Sequence, residues 1–190
     1  MGAANPSGYD PRAPDRPGMK LDDDDFTLFG LPQRFALDRG ALDARWRSLQ
    51  AEVHPDRFAS EGAAAQRIAM QWSVRVNAAY QRLKDPLKRG ACLCELAGVS
   101  IDAETNTAMP TAFLVQQMAW REALDDANGA EAVEQIDAAV AESEGAMVER
   151  MAKALDGQHD AKSAAQEVRA LMFVSRFRHD VRRRLEALDA

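Results

Sequence analysis

From residue 26 onward, apolar positions recur at helical spacing almost without interruption. Phe26-Thr27-Leu28-Phe29 is a short apolar segment stopped by Gly30 and Pro32. Leu42, Trp46, Leu49 and Val53 follow at intervals of four, three and four, which is one face of a helix opened by Asp38 as N-cap. His54 precedes Pro55, and a residue before proline is pushed out of helical backbone, so this helix ends there. A loop is expected to about Gly62. Ile68, Trp72, Val76, Ala79 and Leu83 then form the buried stripe of a second helix, closed by Asp85-Pro86. A further helix over about 86–97 ends at Gly98.

Residues 99–110 are polar and aperiodic and read as a linker. Thr111, after Pro110, opens a helix to about Ala127, and Asn128-Gly129 is a turn. Val133, Ile136, Val140, Met147, Met151 and Leu155 mark another helix, with a break at Asp156-Gly157. A last helix over about 160–188 carries Leu171, Val174, Val181, Leu185 and Leu188 as its stripe. No segment alternates strictly, so no strand is predicted. The pattern is all-α, in two helical units: 21–98 with a connecting helix, then, after the linker 99–110, a bundle over 111–190. Residues 1–20 hold four prolines and almost no large apolar side chain, and read as a disordered tail. Asp22–Asp25 read as a solvated acidic start that caps the apolar segment after it.

Composition narrows the function. In 190 residues, 46% hydrophobic and 28% charged is globular, and the formal net charge is −6. Residues 1–90 hold 14 basic and 12 acidic side chains; residues 91–190 hold 10 and 18. An acidic chain is a poor binder of phosphate backbones, so no nucleic-acid partner is expected. Two units of opposite charge character suggest a different partner for each. No apolar run has the ~18 residues of a membrane span, and no secretory signal opens the chain. Two cysteines make no disulfide framework, which points to a reducing, cytoplasmic setting. Cys92 and Cys94 lie two apart on a helix, face different ways, and are assigned to packing. Trp46 and Trp72 are likewise assigned to the core. No phosphate-binding glycine loop and no metal-ligand cluster occurs, so neither cofactor nor metal is expected. A thiol or metal enzyme using Cys92 and Cys94 is the rival from another functional class.

His54-Pro55-Asp56 stands out because it occupies the bend of a helical hairpin, with Arg45, Arg47 and Arg57 beside it. An exposed bend makes a poor acid–base centre and a good contact point for a partner. LDARWRSLQAEVHPDRF at Leu42–Phe58, followed by VNAAYQRLKDPLKR at Val76–Arg89, resembles a J-domain. With FTLFGLP, RGACLCELAG and TAFLVQQMAWREALDD, the chain over about 25–188 is similar to the HscB-type J-domain co-chaperones of iron–sulfur cluster assembly. The resemblance implies an N-terminal J-domain, a helical hairpin with flanking short helices, and a C-terminal three-helix bundle. It implies that His54, Pro55, Asp56, Arg45, Arg47 and Arg57 meet an HscA/DnaK-type chaperone ATPase and stimulate its hydrolysis. The bundle would hold the IscU-type cluster scaffold, and the protein, a monomer and not an enzyme, would bring the two together. A J-domain adaptor for a different client is the nearer alternative.

On the 111–127 helix, Phe113, Trp120 and Leu124 share one side, while Leu114 and Met118, with Val115 beyond them, fall in a second sector with Glu122, Asp125 and Asp126. On the residues alone, Leu114 and Met118 are either core beneath a third helix or an exposed interaction face. The resemblance favours the face, and implies a scaffold-binding set of Leu114, Val115, Met118, Glu122, Asp126 and Phe173. Phe173 reads equally as core at the edge of a wide stripe. Ala119 and Val115 depart from the acid and the longer side chain common in the family, and Arg57 replaces the commoner lysine.

Overall fold

Asp24 opens the first helix as its sequence predicts: its carboxylate accepts from the Phe26 and Thr27 amides at 2.9 and 3.0 Å. In the computed structural model, which describes residues 20–101 and 109–188, this helix, α1, spans Asp25–Phe29. The expected tail up to residue 19, linker residues 102–108 and the last two residues lie outside the described residues. α1 ends at Gly30, whose φ of +66° suits glycine. Contacts divide the chain into two units, Met1–Arg89 and Gly90–Ala190. Among the described residues, all regular structure is helical.

In the first unit, α2 (Arg39–Glu52) begins at Asp38, which caps the Ala41 amide at 3.0 Å. It pairs with α3 (Ala63–Lys84). Leu42 and Leu49 of α2, Val76, Ala79 and Leu83 of α3, and Phe26, Leu28 and Phe29 of α1 are fully buried or nearly so. Three expectations need correction. The loop after His54 is a 3₁₀ helix, Pro55–Glu61, because proline is preset for a first helical position. Ile68 is 55% exposed, since its side of α3 faces an open cleft and not the hairpin core. The acidic run is not merely solvated: Asp25 is only 2% exposed. Arg82 grips it through Nε at 2.5 Å and Nη2 at 2.6 Å, and Arg75 donates at 2.7 Å. Arg75 also donates to the Leu21 and Asp23 carbonyls, at 3.1 and 2.6 Å, tying the segment before α1 onto α3. A carboxylate is buried only when so paired.

α4 (Pro86–Leu96) crosses the divide, and Asp85 caps it by accepting from Leu87 N at 2.9 Å. In the second unit, Gly90 lies so close to the Met151 sulfur that a side chain there would displace it. α5 (Thr111–Asp126), α6 (Ala130–Ala152) and α7 (Ala161–Leu188) form a three-helix bundle. Val133, Val140, Met147 and Met151 of α6 meet Ala164, Val168, Leu171, Val174 and Val181 of α7 in its core. Trp120 stacks on Phe177 at 6.0 Å and fixes α5 to α7. Arg178 joins Asp137 (2.9 Å) and Glu144 (2.7 Å) across α6 and α7. The helical path does not break at Asp156-Gly157. It continues as a π turn, Lys153–Gln158, that keeps Ala154 buried, and His159 takes the left-handed position at φ +54°. The predicted α7 stripe fades after Val181, and Leu188 is exposed.

Candidate functional site

The first site is the bend between α2 and α3. Val53 donates back to the Leu49 carbonyl at 3.0 Å and closes α2. His54 is then extended (φ −62°, ψ 127°), as a residue before proline must be, and caps the 3₁₀ helix by accepting the Asp56 amide on Nδ1 at 3.3 Å. The Asp56 carboxylate lies 3.7 Å from Nδ1. Both side chains face outward, His54 56% and Asp56 91% exposed. Arg57 N donates to the His54 carbonyl at 3.0 Å, and its guanidinium to the Ala51 carbonyl at 3.1 Å, so its direction is set. Arg47 is exposed, whereas Arg45 is half-buried, 3.8 Å from Glu52. The predicted residues thus sit on one bend and the helix before it. They present an imidazole, a carboxylate and a set of guanidinium groups, without an enclosing pocket.

Of what keeps the bend in place, only Trp46 was singled out in the sequence, as a core residue; its polar partners were not. Trp46 is half-buried, stacked on Tyr80 with ring centroids 4.7 Å apart, and donates Nε1–H to Asn77 at 2.9 Å. Asn77 also accepts from Gln50 at 2.7 Å, and Ser73 donates to Gln50 at 3.1 Å. The Tyr80 hydroxyl donates to Asp43 at 2.9 Å and, with Arg39, holds that carboxyl below its ordinary range. This polar seam clamps α2 to α3 along the hairpin that carries the motif. Gln50 and Asn77 are 27 residues apart, and no local pattern joins them.

The second site lies on α5. At roughly 100° per residue, Leu114, Val115, Met118, Glu122 and Asp126 fall within about 120° of arc, opposite Trp120. Leu114, Val115 and Met118 are 43, 61 and 61% exposed, and Glu122 and Asp126 are exposed beside them. Phe173 of α7 is half-buried: its ring meets Phe113 edge-on at 6.0 Å, and the Arg121 guanidinium lies 5.3 Å from its centroid. Three large apolar side chains rimmed by acids carry the marks of a protein-binding surface.

Burial pushes the Cys94 thiol up to about 11, so it is almost wholly protonated near neutrality and a poor nucleophile. Among the described residues, no three His, Cys, Asp or Glu side chains gather as a metal site would need, and no helix is long and apolar enough to cross a membrane.

Residues 109–182 match the family described as the HSCB C-terminal oligomerisation domain. The co-chaperone protein HscB homolog of Burkholderia multivorans is 50% identical over 174 residues, covering 90% of this chain and 99% of that one. The homolog of Bordetella petrii is 49% identical over 84% of this chain and 94% of its own. Among solved structures, chaperone HscB from Vibrio cholerae superposes with a TM-score of 0.80 at 34% identity, over 87% of this chain and 99% of that one. Human co-chaperone protein HscB gives 0.83 at 25% identity, over 96% and 92%. With half its residues shared along nearly its whole length and the same helical architecture, the chain belongs to the HscB family of co-chaperones.

Proposed function

We propose that this protein is the J-type co-chaperone of iron–sulfur cluster assembly in its cell. It holds an IscU-type scaffold on the α5 face and presents it to an HscA/DnaK-type chaperone, whose ATPase it stimulates through His54-Pro55-Asp56. Arg45, Arg47 and Arg57 supply the cationic ground around that motif. Leu114, Val115, Met118, Glu122, Asp126 and Phe173 form the scaffold-binding set. The observation that carries the reading is the outward display of His54 and Asp56 on a clamped hairpin, where neither side chain serves the core. The chemistry remains the chaperone's. The adaptor acts by binding the hydrolysis-competent form of its partner better than the other form, because a ligand shifts an equilibrium only by its differential affinity. Bringing scaffold and chaperone to one chain raises their effective concentration. The reaction would run in the cytoplasm and need no cofactor of this chain. The test is the steady-state ATPase rate of an HscA/DnaK-type chaperone with this protein, with and without scaffold. Stimulation that the scaffold strengthens is expected; none from the folded protein would refute the reading.

A further inference from the structure

The apolar face of α5 has two edges of opposite charge. By helical geometry Arg121 falls about 20° from Leu114 and about 60° from Met118, on the side where α7 lies. Glu122 and Asp126 fall about 40° and 80° beyond Met118 on the other side. Across the Arg121 edge, residues 176–184 of α7 hold five arginines and one acid, Asp180. Two of those arginines are committed within α6 and α7. Arg178 is shared between Asp137 and Glu144, and Arg183 is paired with Asp180 at 2.7 Å.

Arg121 and Arg176 are not committed in this way. Both are exposed, and neither has an ion-pair partner among the described residues. Asp125, one turn beyond Arg121 on α5, does not hold it; the guanidinium lies instead against the Phe173 ring, 5.3 Å from its centroid. A guanidinium resting on an aromatic ring is fixed in direction while its N–H fork stays available, and a carboxylate can accept from two of those N–H groups at once. Arg176 follows Phe173 by three residues, the spacing of neighbours on one helix face, so it stands on the same edge. We infer that Arg121 and Arg176 hold a carboxylate of the protein that covers the α5 face, beside Phe173. This rests on the function proposed above and adds a cationic contact to its apolar and acidic set. The two edges together make the face directional. Leu114, Val115 and Met118 would accept an apolar partner surface either way round, but a reversed partner would set its carboxylate against Glu122 and Asp126.

The test is calorimetric titration of the full-length protein with an IscU-type scaffold at two salt concentrations, about 50 and 500 mM. Wild type is compared with Arg121→Glu, Arg176→Glu and the double variant Leu114→Ala, Met118→Ala, with helicity checked by circular dichroism. Arg176 touches no ring, so its variant separates charge from any packing of Arg121 on Phe173. Each charge reversal is expected to weaken binding about tenfold at the lower salt and less than about threefold at the higher. Affinities within about twofold of wild type in both, while the double variant loses affinity, would overturn the inference and leave the α5 reading standing. Losses that salt does not reduce would mark a packing role and overturn it as well. Undiminished binding by the double variant would instead remove the functional reading beneath it.

Discussion

The bend at His54 and the face of α5 are two surfaces built by opposite chemistry. On the first unit, charged and polar side chains stand outward on a hairpin clamped by Trp46, Tyr80 and Asn77. On the second, leucine, valine and methionine stand outward on a helix held from behind by Trp120 on Phe177. Each surface has an inward counterpart of the same chemistry. Asp25 is a carboxylate like Asp56, but two arginines hold it in the core. Trp120 is apolar like Met118, but α7 covers it. Residue type alone therefore separates nothing; the side of the element on which it falls decides whether a residue serves folding or a partner.

That contrast is sharpest if the outward residues can be lost without loss of fold. His54→Gln and Asp56→Asn are expected to return chaperone ATPase to its unstimulated rate, with stability within about 0.5 kcal/mol of wild type in urea unfolding. Either variant retaining stimulation breaks the first half of the comparison. Asp25→Asn is expected to do the reverse. It leaves Arg75 and the half-exposed Arg82 facing a neutral partner and costs about 2 kcal/mol, read as a lower urea midpoint for the first unit. Burial raises the Asp25 carboxyl, but hydrogen bonds and charge from Arg82 and Arg75 outweigh this and leave it below its ordinary value. A carboxyl lowered by folding stabilises above its unfolded pKa of about 4 and loses that contribution as pH falls through the folded value. Wild-type stability should therefore drop on acidification below about pH 4, and that drop should shrink in Asp25→Asn.

On the second unit, the double variant Leu114→Ala, Met118→Ala is expected to weaken scaffold binding about tenfold by calorimetry, near 1.4 kcal/mol, with thermal unfolding nearly unchanged. Unchanged affinity would favour an adaptor for another client. The smallest expected effect concerns Cys94. Its thiol should react with iodoacetamide at pH 8 at least about tenfold more slowly in the native chain than in urea. Equal rates would mean that the packing behind the bundle is not as described.

The helices, their caps at Asp38 and Gly98, and the bend were legible because each depends on neighbours within a few residues. So was the outward sector of α5, since helical geometry alone separates Leu114 and Met118 from Trp120. Burial of Asp25 was hidden because its partners lie 50 and 57 residues away. Locally it reads as one of four acids at a chain start. Ile68 misled for the opposite reason: its period is that of a core residue, but among the described residues it stays more than half exposed beside an open cleft. The π turn after Ala152 was masked by Asp156-Gly157, a pair that breaks helices elsewhere; here the packing of Met151 and Ala154 carries the chain past it to His159.

The central claim is that one chain couples an exposed polar bend to an exposed apolar face through two partners. Its most direct test is chaperone ATPase at limiting concentrations of this protein, with and without scaffold, for wild type, His54→Gln and the Leu114→Ala, Met118→Ala variant. Scaffold is expected to amplify stimulation by wild type, the α5 variant to keep basal stimulation without amplification, and His54→Gln to lose both. Equal rates for wild type and His54→Gln, or full amplification by the α5 variant, would contradict it.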